Sequence, residues 1–246
     1  MRLILYILAG ALAALLLNYL ADVLPLTRKF GRPRCSHCGH AFTLKEYLFS
    51  FHCPSCHSAP SARYWVVLIA GVAGSVLLAF FPLPPFTYWE SLPLVVFLAL
   101  VAIIDIEYRA VLIETDIVGA VLGIIYGLIL HGPVEMIIGG LAGAAIMTGF
   151  YFLGMAFNKI VGKIRQEEIT EVALGLGDVF VCGYLGFVMG WPHVIGMVIL
   201  TIVLGGVFAL GYILVKLIGH RYSAFSAIPY VPFLILGALI MFYLPA

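Results

Sequence analysis

Two groups of residues in this 246-residue chain have the types and spacing needed for chemistry. The first is Cys35, Cys38, Cys53 and Cys56, two Cys-x2-Cys pairs with fourteen residues between them. Four thiolates carried on two tight turns suit tetrahedral zinc, and the spacing is close to that of zinc ribbons. Gly39 follows the first pair and Pro54 lies inside the second, as turns require. A structural zinc would order a loop too short to build its own core. His37, His40, His52 and His57 flank the quartet as alternative nitrogen ligands, but four cysteines already close the site. Cys182 stands alone in an apolar run and reads as a small core residue.

The second group is acidic. Asp105 stands in Ile104-Asp105-Ile106-Glu107-Tyr108-Arg109, and Asp178 closes Gly175-Leu176-Gly177-Asp178. Ionisable groups at the ends of apolar runs are costly and mark functional sites by default. Two carboxylates converging on one water share a proton. The ionised one takes a proton from the attacking water, and the protonated one hydrogen-bonds the developing oxyanion. That chemistry would be aspartic proteolysis, which needs no metal at that site. Gly175 and Gly177 allow unusual torsions and let an extended substrate chain approach the backbone, with helix packing as the plainer alternative. Asp178 would lie at a helix N-terminus and Asp105 near a C-terminus, which favours Asp178 as the ionised partner.

The other acids divide by position. Glu107, Glu114 and Asp116 line the mouth of such a site or meet solvent. Glu167, Glu168 and Glu171 form a solvated face or attract a basic peptide. Asp22 with Asn18 has either a packing or a functional role, and Glu135 reads as structural.

The elements that position these groups follow from composition. Hydrophobic residues make up 63% and charged residues 10%, with mean hydropathy +1.13. Soluble domains carry about 25% charged and about 45–50% apolar residues. A soluble globule, a disulfide-rich secreted domain and a disordered chain are excluded. At roughly 20 apolar residues per crossing, the sequence predicts spans at 3–25, 64–82, 90–106, 111–131, 133–157, 177–192, 194–217 and 225–245. Pro82, Pro84 and Pro85, then His131-Gly132-Pro133, then Trp191-Pro192 punctuate them. The fold class is therefore all-α and polytopic, with about eight transmembrane helices and a small zinc-ribbon-like loop. No internal repeat is visible, which counts against an inverted-repeat transporter. The run 3–25 is longer than the apolar core of a cleavable signal peptide, and its basic cluster follows it, as in a retained span.

Of 13 Lys and Arg, all but Arg2 fall on one side of an eight-span chain. That side is cytoplasmic by the positive-inside rule. The cysteine loop then lies in a reducing compartment, where structural disulfides are rare. Asp105 ends the third span and Asp178 begins the sixth, so both lie at the same depth near the cytoplasmic face. The net charge of +1 gives no sign of a nucleic-acid partner.

These residues carry a resemblance. Gly175-Leu176-Gly177-Asp178 resembles the Gly-x-Gly-Asp motif of intramembrane aspartic proteases, and the whole arrangement resembles a type IV prepilin peptidase. Ile104-Asp105 resembles the first catalytic aspartate, and the Cys loop the N-terminal cytoplasmic domain. Asn18 with Leu24-Pro25, and Pro229-Tyr230-Val231-Pro232-Phe233, resemble further family segments. The resemblance implies a leader peptidase of the bacterial cytoplasmic (inner) membrane, cleaving prepilins or pseudopilins after a glycine where the basic leader meets the apolar helix. It implies Asp105 and Asp178 as catalytic, membrane lipid as surroundings, and N-methylation of the new N-terminus with S-adenosylmethionine as a second activity. It divides the chain into a first helix (1–25), a zinc loop (26–63) and a seven-helix peptidase core (64–246). Three positions depart from the family pattern. Ile113-Glu114-Thr115-Asp116 replaces Leu-Pro-Asp, Phe180 stands where lysine is usual, and Ala14-Leu15-Leu16-Leu17 replaces Gly-Ser-Phe. The rival readings are a membrane transporter, for which carboxylates would sit nearer the midplane, and a non-catalytic pilus or secretion assembly factor.

Overall fold

A computed structural model describes residues 2–35, 37–49, 52–165, 175–218 and 229–244. Among the described residues the regular elements are all helices, with one isolated bridge between Arg34 and Ala41. In chain order the helices are α1 (Arg2–Thr27), α2 (Leu44–Phe49), α3 (Ala62–Phe80), α4 (Tyr88–Tyr108), α5 (Ile113–Arg165), α6 (Leu176–Met189), α7 (His193–Ile218) and α8 (Val231–Met241). Five of them (α1, α3, α4, α5 and α7) are long and apolar enough to cross a membrane. α6 and α8 are shorter apolar helices.

Each apolar run read from the sequence contains a helix, and the helices stop short of the run limits at 81–82, 111–112, 190–192 and 242–244. The fourth and fifth runs are continuous in α5, which breaks at Gly132 (φ 78°, ψ 177°) into two arms. That conformation is open to glycine, and Pro133 then starts the second arm. In the last run α8 begins at Val231, with Tyr230 as its capping residue and Pro232 in its first turn. Glu167, Glu168, Glu171, Arg221, Ala227 and Ile228 lie outside the described residues.

The chain divides into two compact units, Met1–Ile104 and Asp105–Ala246. In the first, α1 packs on α3: a Cβ at Gly71 would lie 2.7 Å from that of Ala14. Buried Ser75 of α3 donates to the Tyr6 carbonyl at 2.7 Å and shares a hydrogen bond with the Tyr88 hydroxyl at 2.7 Å. An apolar groove of about 310 Å³ runs between α1, α3 and α4, lined by Ala70, Gly74, Val96 and Ala99 among others.

In the second unit, α6 is the central helix, with Val181, Cys182, Gly183, Tyr184, Leu185 and Gly186 all buried. Both arms of α5 pack against it. Gly123 of the first arm sits against the Tyr184 carbonyl and Gly143 of the second against that of Cys182; an added Cβ would come within 2.6 Å of each. Helices packed in a membrane approach closely through such small residues. Cys182 is fully buried, in keeping with a core role.

Candidate active site

The Gly175–Asp178 segment makes the N-terminus of α6. Gly175 is the capping residue, and its N–H donates to Asp178 Oδ2 at 2.8 Å. The Asp178 N–H turns back to the Gly175 carbonyl at 3.2 Å. A carboxylate in the first turn thus satisfies an amide that the helix itself cannot, and it meets the positive end of the helix dipole. The two glycines differ in their surroundings. Gly177 is pressed on Val111 of the α4–α5 connection, where an added Cβ would come 2.7 Å from Val111 Cβ. Gly175 is exposed, and an added Cβ there would meet only ordinary contacts at 3.8 Å.

Asp105 lies in the last turn of α4, and the Arg109 N–H closes that turn on its carbonyl at 2.8 Å. Arg109 adopts the left-handed conformation (φ 50°) common just after a helix end. The Asp105 side chain takes a partner from far along the chain: the Val231 N–H, at the start of α8, donates to Oδ2 at 3.3 Å. Asp105 is 6% exposed and Asp178 8%. The structure brings the two within electrostatic reach of each other, and Arg109 lies within reach of Asp105.

Asp105 is near the C-terminus of its own helix, yet the N-terminal amide of another helix meets it. Two tyrosines not singled out from the sequence lie within electrostatic reach of these acids. Tyr184 is buried within electrostatic reach of Asp105 and Asp116, and Tyr230 lies within reach of Asp178. Glu114 and Asp116 stand in the first turn of α5, while Glu107 is exposed. Val231, Tyr230 and Val111 had no chemical signature of their own; the signal for α8 was the paired prolines Pro229 and Pro232.

The four cysteines form one cluster, their Sγ atoms all within 4.8 Å of one another. The Cys35–Cys56 and Cys38–Cys53 separations are 3.7 and 3.6 Å. A zinc tetrathiolate with Zn–S near 2.3 Å has S···S edges of about 3.8 Å, so the quartet fits that ion. The two halves repeat one knuckle. The Cys35 N–H bonds the His40 carbonyl and the Gly39 N–H the Cys35 carbonyl; likewise Cys53 bonds Ser58 and His57 bonds Cys53. Gly39 (φ 73°) and His57 (φ 53°) take the matching left-handed position.

The Ser58 hydroxyl lies 3.2 Å from Cys56 Sγ and 3.5 Å from Cys35 Sγ. Its hydrogen bond, with the backbone N–H groups of Cys38 and His37, lowers the Cys35 thiol to about 5. Ser58 lowers Cys56 as well. Thiolates held in this way are ready ligands. The flanking histidines are not part of the cluster.

Beneath the loop, α2 begins with a reciprocal cap. The Thr43 N–H donates to Glu46 Oε2 at 2.7 Å, and the Glu46 N–H to Thr43 Oγ1 at 3.3 Å. The Tyr47 hydroxyl then donates to Asp22 Oδ2 at 2.6 Å, and Arg63 pairs with Asp22 Oδ1. Asp22 therefore joins the loop to α1 and α3 rather than bonding Asn18. Asn18 instead donates to the Tyr64 carbonyl at 3.3 Å.

Comparison with known proteins now bears on this geometry. The model of the type IV leader peptidase family matches residues 92–210. A protein of Aeromonas salmonicida (strain A449) named prepilin leader peptidase/N-methyltransferase is 28% identical over 216 residues, covering 82% of this chain and 68% of the relative. One of Aeromonas hydrophila with the same name is 28% identical over 226 residues, covering 87% and 71%. No solved structure matches the chain. With its apolar helices, the chain is a multi-pass membrane protein. The family match takes in Asp105, Gly175, Gly177 and Asp178, whereas the cysteine quartet and α8 fall outside it.

Proposed function

We propose that the chain is a prepilin leader peptidase of the bacterial inner membrane, with Asp105 and Asp178 as its catalytic pair. The observation that carries this reading is two buried carboxylates within electrostatic reach, one ending α4 and one opening α6 on the Gly-x-Gly-Asp segment. The family match over 92–210 supports the reaction class, and the names of the Aeromonas relatives support the substrate. Nothing found favours a transporter or a non-catalytic assembly factor.

In the reaction the two carboxylates share one proton. The ionised one accepts a proton from water as its oxygen attacks the scissile carbonyl. The protonated one hydrogen-bonds the carbonyl oxygen as charge develops and later passes its proton to the leaving amine. The substrate joins a basic leader to an apolar helix and is cut after a glycine at the cytoplasmic face. Gly175, exposed at the mouth of the pair, leaves room for its extended backbone. The active site and the zinc loop (26–63) face the cytoplasm, and 64–246 is the peptidase core.

Cys35, Cys38, Cys53 and Cys56 would hold a structural zinc, which when bound supplies a fixed crosslink and no chemistry to the cleavage. A second activity, N-methylation of the new N-terminus with S-adenosylmethionine as donor, rests on the relatives' names.

The test is co-expression with a prepilin, scoring leader removal for wild type, Asp105→Asn and Asp178→Asn. Wild type is expected to cleave and both variants to lose cleavage. Retained cleavage in either variant defeats the proposed pair.

A further inference from the structure

The first turn of a helix has four N–H groups without partners in its own helix. In α8 these are almost all accounted for locally. Pro232 has no N–H, and those of Phe233 and Leu234 both return to the Tyr230 carbonyl, at 3.0 and 3.3 Å. Of the donors from 231 to 234, that of Val231 remains. It is fully buried and directed to Asp105 Oδ2, across 126 residues of chain. Water does not reach Val231, so this N–H has no alternative partner in solvent, and leaving it unpaired would carry the full desolvation cost. The placement of the two prolines explains how this arises. Pro229 precedes the cap, and Pro232 removes the neighbouring donor, so a single amide is presented at a single point.

We infer that the backbone N–H of Val231 is a positioning group for catalysis, holding Oδ2 of Asp105 in place so that the other oxygen is presented to the reacting water. The inference rests on the reading of Asp105 as one of the catalytic pair. Val231 touches Asp105, not the substrate, so its contribution belongs in kcat rather than in KM. A buried N–H with no other partner is costly to leave unpaired. Only the part felt in the transition state affects rate, which sets the expected loss in kcat at about tenfold.

The experiment replaces the Val231 amide by an ester, introducing 2-hydroxyisovaleric acid at that codon, so that the side chain is kept, the N–H is lost and the Tyr230 carbonyl becomes a weaker acceptor for the Phe233 and Leu234 N–H groups. A matched ester at Leu234 removes a hydrogen bond of the same turn that does not involve Asp105. Prepilin cleavage is measured in detergent at several substrate concentrations, beside wild type and Asp105→Asn. The inference expects kcat to fall about tenfold or more in the Val231 ester with KM unchanged, and to stay near wild type in the Leu234 ester. Equal losses in the two esters, or none at Val231 while Asp105→Asn is inactive, overturn the inference and leave the peptidase reading standing. Activity retained in Asp105→Asn overturns both. A second measurement does not depend on the ester variant folding. The amide proton of isotopically labelled Val231 is followed by NMR as pH is varied; its resonance is expected to titrate in wild type and not in Asp105→Asn. A resonance indifferent to that substitution also overturns the inference.

Discussion

Replacing Gly177 by alanine tests how the two aspartates are kept in register. The added Cβ would come 2.7 Å from both Cβ and Cγ2 of Val111, where ordinary contact begins near 3.4 Å. The α4–α5 connection or the N-terminus of α6 must therefore move by about 0.7 Å, because a Cβ bonded to backbone cannot rotate out of the way. Asp178 follows Gly177 directly, and Val111 is six residues from Asp105, so the shift falls between the two carboxylates. Overpacking of this kind costs about 1–3 kcal/mol in stability. A displacement near 1 Å at a catalytic group costs on the order of a hundredfold in rate, and about 0.7 Å is expected to cost between tenfold and a hundredfold in kcat.

The assay is leader removal from a purified prepilin in detergent micelles, with thermal unfolding measured in parallel to separate inactivity from unfolding. Compensation sharpens the test. Val111→Gly removes both clashing atoms, whereas Val111→Ala leaves Cβ in place. Gly177→Ala combined with Val111→Gly is expected to regain most of the lost kcat, and combined with Val111→Ala to regain little. A Gly177→Ala variant cleaving like wild type would refute the reasoning, as would equal rescue by the two partners.

Further outcomes follow from the cysteine loop and its anchor. Ser58→Ala removes the hydroxyl beside Cys35 and Cys56 and is expected to weaken zinc binding about 10–100-fold, measured by competition with a chromophoric chelator. His57→Gly relieves a left-handed side chain worth about 1–2 kcal/mol and is expected to slow zinc release, whereas Gly39→Val introduces that strain and is expected to speed it. Tyr47→Phe deletes one 2.6 Å hydrogen bond to Asp22 and is expected to cost about 1 kcal/mol. Asp22→Ala removes the partner of both Tyr47 and Arg63 and is expected to expose residues 26–63 to limited proteolysis at a lower protease concentration.

The membrane fold was legible because length and hydropathy alone decide what can cross a bilayer. The apolar runs map onto helices, and the His131-Gly132-Pro133 break falls where α5 bends. The cysteine quartet was legible because metal chemistry constrains spacing in the chain. Asp105 and Asp178 stood out because charges are scarce in apolar runs. The rest depended on tertiary contacts without local signature. No pattern in the sequence tells that Gly177 is required by Val111, since a glycine needed for close packing and one needed for substrate access look alike. Nor does one tell that Asp22 bonds Tyr47 and Arg63 rather than its helical neighbour Asn18, because the choice is made by a loop folding back on α1. Reading charge preference from each aspartate's own helix failed to include α8, whose first amide changes what Asp105 meets.

That amide completes a symmetry in the site that neither motif contains alone. Asp178 Oδ2 is held by the Gly175 N–H, and Asp105 Oδ2 by the Val231 N–H, each bond coming from the start of a helix. Among the described residues no other hydrogen bond reaches either carboxylate. Each acid thus has one oxygen bonded by backbone, and in the proposed reaction the other is left for water, substrate and the shared proton. Backbone donors suit this task better than side chains. They hold the acid in one orientation without adding a titrating group that would compete for the proton, and they cannot rotate away when the charge moves from one carboxylate to the other. A side-chain donor at either place would have to titrate, rotate, or be held by a further partner. The same argument accounts for the residue types around the pair. Glycine at 175 brings an N–H to Asp178 with no side chain in the path of a peptide, and proline at 232 limits α8 to one donor at Asp105.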